Sequence, residues 1–73
     1  MGASGQFILN HIRELRLAHS GMTQQELADL VGITRQTVNA IEQNKYSPSL
    51  EVAFKISKVF GVGIERVFEY RPS

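Results

Sequence analysis

Residues 23–41, TQQELADLVGITRQTVNAI, decide how this chain folds. Leu27 and Val31 are four apart and share one face of a helix. Thr23 is placed to N-cap that helix, and Glu26, three residues on, completes a capping box. Gly32 follows at once, where a helix end turns left-handed and a Cβ is costly. Thr34 is placed to cap a second helix over 34–43. Val38 and Ile41, at i and i+3, then face back into the core and leave Arg35, Gln36, Asn39 and Gln43 outside. Ala28 falls where the two helices would cross closely, so a larger side chain there would push them apart.

Two short helices packed nearly at right angles through a tight turn make a helix-turn-helix. Its usual use is to lay the second helix in the major groove of DNA. Average composition would supply the glycine, the alanine and four apolar residues at these positions at roughly 2 in 10,000 starts. The same corner also occurs in ordinary helical bundles, so the spacing speaks more strongly for the motif than for its use.

On the N-terminal side, Ile8, Ile12 and Leu15 fall at i, i+4 and i+7, which predicts a helix from about 7 to 19, ended by Gly21. On the C-terminal side, Asn44 can take the left-handed cap role, and Tyr46-Ser47-Pro48 reads as a loop. Ser49 can cap a fourth helix over about 50–60. Its polar stripe is narrow (Glu51, Lys55 and Lys58, with Glu51 placed to pair Lys55), so burial on more than one side is expected. Gly61 stops it, and a short fifth helix over about 64–69 carries Ile64, Val67 and Phe68. No strand pattern is visible. The expected fold is all-α: a compact five-helix domain over 7–70, with 1–6 a flexible leader or expression remnant and 71–73 a tail.

The chain has 73 residues, net charge +1 and no cysteine, so one domain must stand without disulfides or thiolate metal sites. No apolar run approaches the roughly 20 residues of a bilayer span. The expectation is a soluble, cytoplasmic protein, nucleoid-associated when bound to DNA. So few cations give one copy little non-specific hold on DNA, which argues for two copies acting together. An enzyme is not expected. His11 and His19 are the only histidines, with no carboxylate constellation around them. Gly61-Val62-Gly63 is a helix stop with no strand before it, not a dinucleotide loop. No metal, cofactor or small-molecule ligand is indicated.

From Ile12 to Tyr70 the sequence resembles the Cro/repressor (Xre-type) helix-turn-helix DNA-binding family, in its short single-domain branch. The likeness rests on IRELR at 12–16, MTQQELADLVGITRQTVNAIE at 22–42, the Tyr46-x-Pro48-Ser49-Leu50 loop and KISKVFGVGIERVF at 55–68. The resemblance implies a lambda-repressor-like domain with the motif at helices 2 and 3, acting as a dimeric transcriptional regulator. It implies that Gln24 holds a DNA phosphate, that Thr34, Arg35, Gln36 and Asn39 face the groove, and that Gln43, Asn44 and Lys45 meet the backbone. It also implies a structural ion pair between Arg16 and Glu42. Two departures stand out. The link from Leu17 to Met22 looks one residue longer than usual. Gly63 sits where the family often has a Ser or Thr cap, so the last helix should start loosely.

The chemistry of the outward residues fits that use. Arg can bond guanine O6 and N7 together, Gln can do the same with adenine N6 and N7, and the Thr37 methyl can touch a thymine methyl. Arg35 and Gln36 lead the base-reading set, with Asn39 one turn on and Thr37 at the boundary. Gln24, Thr34, Gln43, Asn44 and Lys45 form the expected backbone-contact set. Lys45 is placed to clamp a phosphate, while Tyr46 is expected to pack against the fourth helix. Two recognition helices entering successive major grooves must lie about 34–36 Å apart, so a homodimer on a near-palindromic operator of double-stranded DNA is expected. Phe54, Ile64, Val67, Phe68 and Tyr70 are its expected interface. The competing reading is an antitoxin or protein-interaction module that uses the same fold.

Overall fold

The computed structural model describes residues 6–72. Met1–Gly5 of the expected leader and Ser73 of the expected tail lie outside the described residues. The elements run β1 (Gln6–Asn10), α1 (Ile12–Ala18), α2 (Gln24–Val31), α3 (Arg35–Glu42), α4 (Leu50–Phe60), α5 (Ile64–Val67) and β2 (Phe68–Pro72). The domain is mostly helical, with five helices and the helix-turn-helix at α2 and α3. A small sheet closes the two ends of the described chain against each other.

The local signals around the motif act as their chemistry predicts. The Thr23 hydroxyl accepts from the Glu26 N–H at 3.0 Å, and the Glu26 carboxylate accepts from the Thr23 N–H at 2.8 Å. That reciprocal box satisfies two of the helix's orphan donors. Gly32 ends α2 at φ 86°, in the left-handed region, and its N–H returns to the Ala28 carbonyl. Thr34 and Ser49 accept from Thr37 and Val52 to start α3 and α4. Asn44 turns left-handed after α3, at φ 61°.

Two expectations fail at the ends. The helix expected over 7–19 begins only at Ile12, and residues 6–10 are a strand. The helix expected over 64–69 stops at Val67, because Phe68 is extended and opens the second strand. The strands pair antiparallel, with Ile8 opposite Tyr70 and Asn10 opposite Phe68. The reason is partly composition. Phe7-Ile8-Leu9 is a run of three apolar residues that suits a strand as well as a helix. It is also a local turn: the Asn10 side-chain oxygen accepts from the N–H of Ile12, the first residue of α1, at 3.2 Å. Ile8 therefore leaves the expected core stripe and is 45% exposed, whereas Ile12 is fully buried. Gln6, assigned to the leader, and Arg71 and Pro72, assigned to the tail, belong to the strands.

The core gathers Ile12, Leu27, Ala28, Val31, Val38, Ile41, Ile56, Phe60 and Val67. Five of these come from the motif, so the corner is also the centre of the domain. α4 buries Ala53, Ile56, Ser57 and Phe60 along one face. Leu50 and Phe54 stay exposed, at 71% and 49%, so within one chain α4 is covered on one side only. α5 starts on Gly63 with no side-chain cap, as the missing Ser or Thr would predict. None of the helices among the described residues is long and apolar enough to cross a membrane.

Candidate nucleic-acid interface

The outer side of α3 follows from its inner side. Val38 and Ile41 are anchored in the core, and at about 100° per residue the opposite direction falls to Gln36, Ala40 and Gln43, flanked by Arg35 and Asn39 on one side and Thr37 on the other. Arg35, Gln36 and Gln43 are exposed, and Thr37, Asn39 and Ala40 are half-buried. Thr34 at the start of α3, and Asn44, Lys45 and Tyr46 after its end, are exposed as well. From Thr34 to Tyr46 the only acid is Glu42, and it is held inward by Arg16.

That inward pair is the keystone of the interface. The Arg16 Nε donates to one Glu42 oxygen at 2.6 Å and the Nη2 to the other at 3.1 Å, with both side chains about nine-tenths buried. The Arg16 Nη1 donates to the Met22 carbonyl at 2.8 Å. The long Leu17–Met22 link is thus latched to the same guanidinium, and its extra residue leaves the pair intact. Planar two-pronged bonding with every prong engaged is what lets such a pair survive out of water. For the interface it has a second effect. It neutralises the acid on α3, so a chain of net charge +1 still presents Arg35 and Lys45 there without a competing carboxylate.

A row of amides continues from the pair to the surface. The Gln24 amide nitrogen donates to Glu42 at 3.1 Å and to Asn39 at 3.2 Å, and the Gln43 amide donates to the same Asn39 oxygen at 3.3 Å. The structure therefore brings Gln24, Asn39 and Gln43 together as one bonded strip. Both hydrogens of the Gln24 amide are engaged within the corner, so its side chain braces α2 against α3. The Thr34 and Thr37 hydroxyls pair at 2.9 Å.

Two residues of the site had no role in the sequence reading. Asn10 donates to the Ile41 carbonyl at 2.8 Å and to the Asn44 side-chain oxygen at 2.9 Å, with a longer approach to the Glu42 carbonyl. It ties the end of the recognition helix to β1 and to the start of α1. No local signal reveals its link to α3, since those partners lie more than thirty residues away. Ala40 could have been found, because it stands one turn beyond Gln36. Tyr46 departs from its expected place against α4. It is 54% exposed and borders two grooves, one beside α3 and one beside the sheet, neither of them lined by α4.

The five residues expected at a dimer interface divide. Val67 is fully buried within one chain, because the strand after it folds the end of α5 onto the core, so its side chain has no surface to offer. Phe54 and Ile64 share a groove beside Gly61-Val62-Gly63. Phe68 and Tyr70 share a different groove with Ile8 and Tyr46, and Phe68 also packs against the core.

A helix-turn-helix family matches residues 12–67. A helix-turn-helix-type transcriptional regulator of Methanocaldococcus jannaschii is 51% identical over 61 residues, which are 84% of this chain and 91% of its own. A regulator of the same type from Bacillus subtilis is 51% identical over 59 residues, 81% of this chain and 88% of its own. A solved structure from Bacteroides fragilis, assigned as a DNA-binding protein, superposes with TM-score 0.74 at 27% identity, over 86% of this chain and all of the other. The chain belongs to the helix-turn-helix family of the Cro/repressor (Xre) type, a DNA-binding family of regulators and not of enzymes.

Proposed function

We propose that this protein is a sequence-specific regulator of transcription that binds double-stranded DNA through the major groove. It works as a homodimer on a near-palindromic operator and represses by occupying it. The observation that carries this reading is the outer side of α3. Arg35 and Gln36 stand free at its start, Asn39 is held one turn on by Gln24 and Gln43, and the only acid of the helix is sealed inside by Arg16. Polar groups capable of two-pronged base contacts are thus lined up on a braced helix. Thr34, Gln43, Asn44 and Lys45 surround them as contacts to the sugar-phosphate backbone. With the Gln24 amide engaged, the backbone N–H groups of Gln24 and Gln25 are the donors at that end suited to a phosphate. Low net charge supports pairing, since each copy brings few cations. Of the expected interface set, exposed Phe54 and Tyr70 and half-buried Ile64 keep apolar surface for a dimer.

Selection of bound sites from a random duplex library tests the reading in one step. The expected product is a pair of inverted half-sites about 10–10.5 base pairs apart, centre to centre. Gln36→Ala should then cost about 1–3 kcal/mol on the selected duplex and relax one base pair, whereas Lys45→Ala should weaken all duplexes and lower the salt slope by about 1. Equal losses from Gln36→Ala on selected and random DNA would remove its base-reading role. Absence of any retarded duplex at low salt and micromolar protein would transfer the reading to a protein-interaction module, an antitoxin among them. For the dimer, Phe54→Asp in sedimentation is a sounder probe than Phe68→Asp, because Phe68 also packs against the core.

A further inference from the structure

The groove beside α3 holds side chains that the base-reading set leaves unused. It has a volume of about 240 Å³ and is lined by Thr34, Gln36, Thr37, Ala40 and Tyr46. Its position is fixed by backbone bonds. Asn44, left-handed at φ 61° and held by Asn10, turns the chain, and the Lys45 N–H returns to the Ala40 carbonyl at 2.9 Å. That turn carries Tyr46 back alongside the helix. The chemistry of the groove is mixed. Ala40 gives a bare methyl and Tyr46 a ring that is more than half exposed. The Thr37 hydroxyl pairs with that of Thr34, and the Thr37 methyl is its apolar contribution. Gln36 alone adds a two-way amide.

Among the groups that the four bases show in the major groove, the thymine 5-methyl is the apolar one. Resting on the DNA-binding reading above, we infer that Thr37, Ala40 and Tyr46 form a seat for a thymine 5-methyl group, with the Gln36 amide on an adjacent adenine. Tyr46 is then a specificity-determining residue that lies outside the recognition helix. An apolar seat of this kind prefers a methylated pyrimidine to an unmethylated one, whatever hydrogen bonds the base makes.

The test uses duplexes selected from a random library and remade with deoxyuridine in place of each thymidine in turn. Uracil pairs as thymine does but lacks the methyl. At one position in each half-site the wild-type protein should bind the deoxyuridine duplex about fourfold more weakly, the size of one lost buried methyl. Tyr46→Ala should bind the two duplexes equally, and Tyr46→Phe should discriminate as the wild type does. Thermal melting checks that the variants fold. Should Tyr46→Ala fail to fold, Ala40→Ser, which puts a hydroxyl into the seat, should lose the discrimination instead. A wild type indifferent to deoxyuridine at every position overturns the seat and leaves the DNA-binding reading standing, as does a folded Tyr46→Ala that discriminates in full. A library that yields no selected duplex overturns both.

Discussion

The corner formed by α2 and α3 and the sheet formed by the chain ends obey opposite rules. In the corner the helix ends are capped by residues three or four positions away: Thr23 by Glu26, Gly32 by Ala28, Thr34 by Thr37. At the ends, β1 is held by β2, with Ile8 opposite Tyr70 across almost the whole length of the chain. Local bonds cost little chain entropy to close, whereas a distant pairing must first bring the ends together. The corner should therefore form early and hold its shape, while the ends should open first. The recognition face is built on the first region but fastened to the second through Asn10, and this junction is where the contrast can be tested.

The largest effect should come from breaking the ion pair that joins α1 to α3. Glu42→Ala leaves the Arg16 guanidinium buried with only the Met22 carbonyl, and loss of one partner of such a pair costs about 3–5 kcal/mol. Urea denaturation measures it, and a change within about 0.5 kcal/mol would mean that water reaches the guanidinium and that the corner stands without the pair.

The same contrast explains what could be read in advance. Capping residues, the glycine at 32 and the apolar pair at 38 and 41 act within one or two turns, so their spacing in the sequence carries the corner almost intact. The outward row on α3 follows from that corner by simple rotation. The Arg16–Glu42 pair has no local signature and came only through resemblance to a family. The strands were missed because Phe7-Ile8-Leu9 is ambiguous alone, and only pairing with residues sixty positions on resolves it. Asn10 was missed for the same reason. Tyr46 was misplaced because a loop aromatic beside an apolar helix suggests packing, whereas the left-handed turn at Asn44 sends it toward α3.

An intermediate effect is expected at the junction. Asn10→Ala removes the bonds to the Ile41 carbonyl and to Asn44 and the bond from the Ile12 N–H. At about 0.5–1.5 kcal/mol for each of these three bonds, a loss of about 1.5–4.5 kcal/mol is expected. Amide exchange should localise it. The Asn44 and Lys45 N–H groups, which close the end of α3, should exchange faster than those of α2. Uniform acceleration through α2 and α3 would show that corner and ends open together, and the contrast would fail.

The smallest effect should come from the sheet itself. Ile8 and Tyr70 face each other across the strands and are 45% and 62% exposed. A cross-strand pair of this kind contributes about 0.2–1 kcal/mol, and two strands alone are marginal in water. A double-mutant cycle of Ile8→Ala and Tyr70→Ala should return a coupling in that range. It should leave protection in α2 unchanged, because neither side chain belongs to the core around Leu27 and Val38. A coupling well above 1 kcal/mol at high protein concentration, falling on dilution, would carry a different meaning. It would show that these two side chains are covered by a second copy, that the sheet lies within the dimer, and that the pairing of the chain ends is completed only when two recognition helices are brought together.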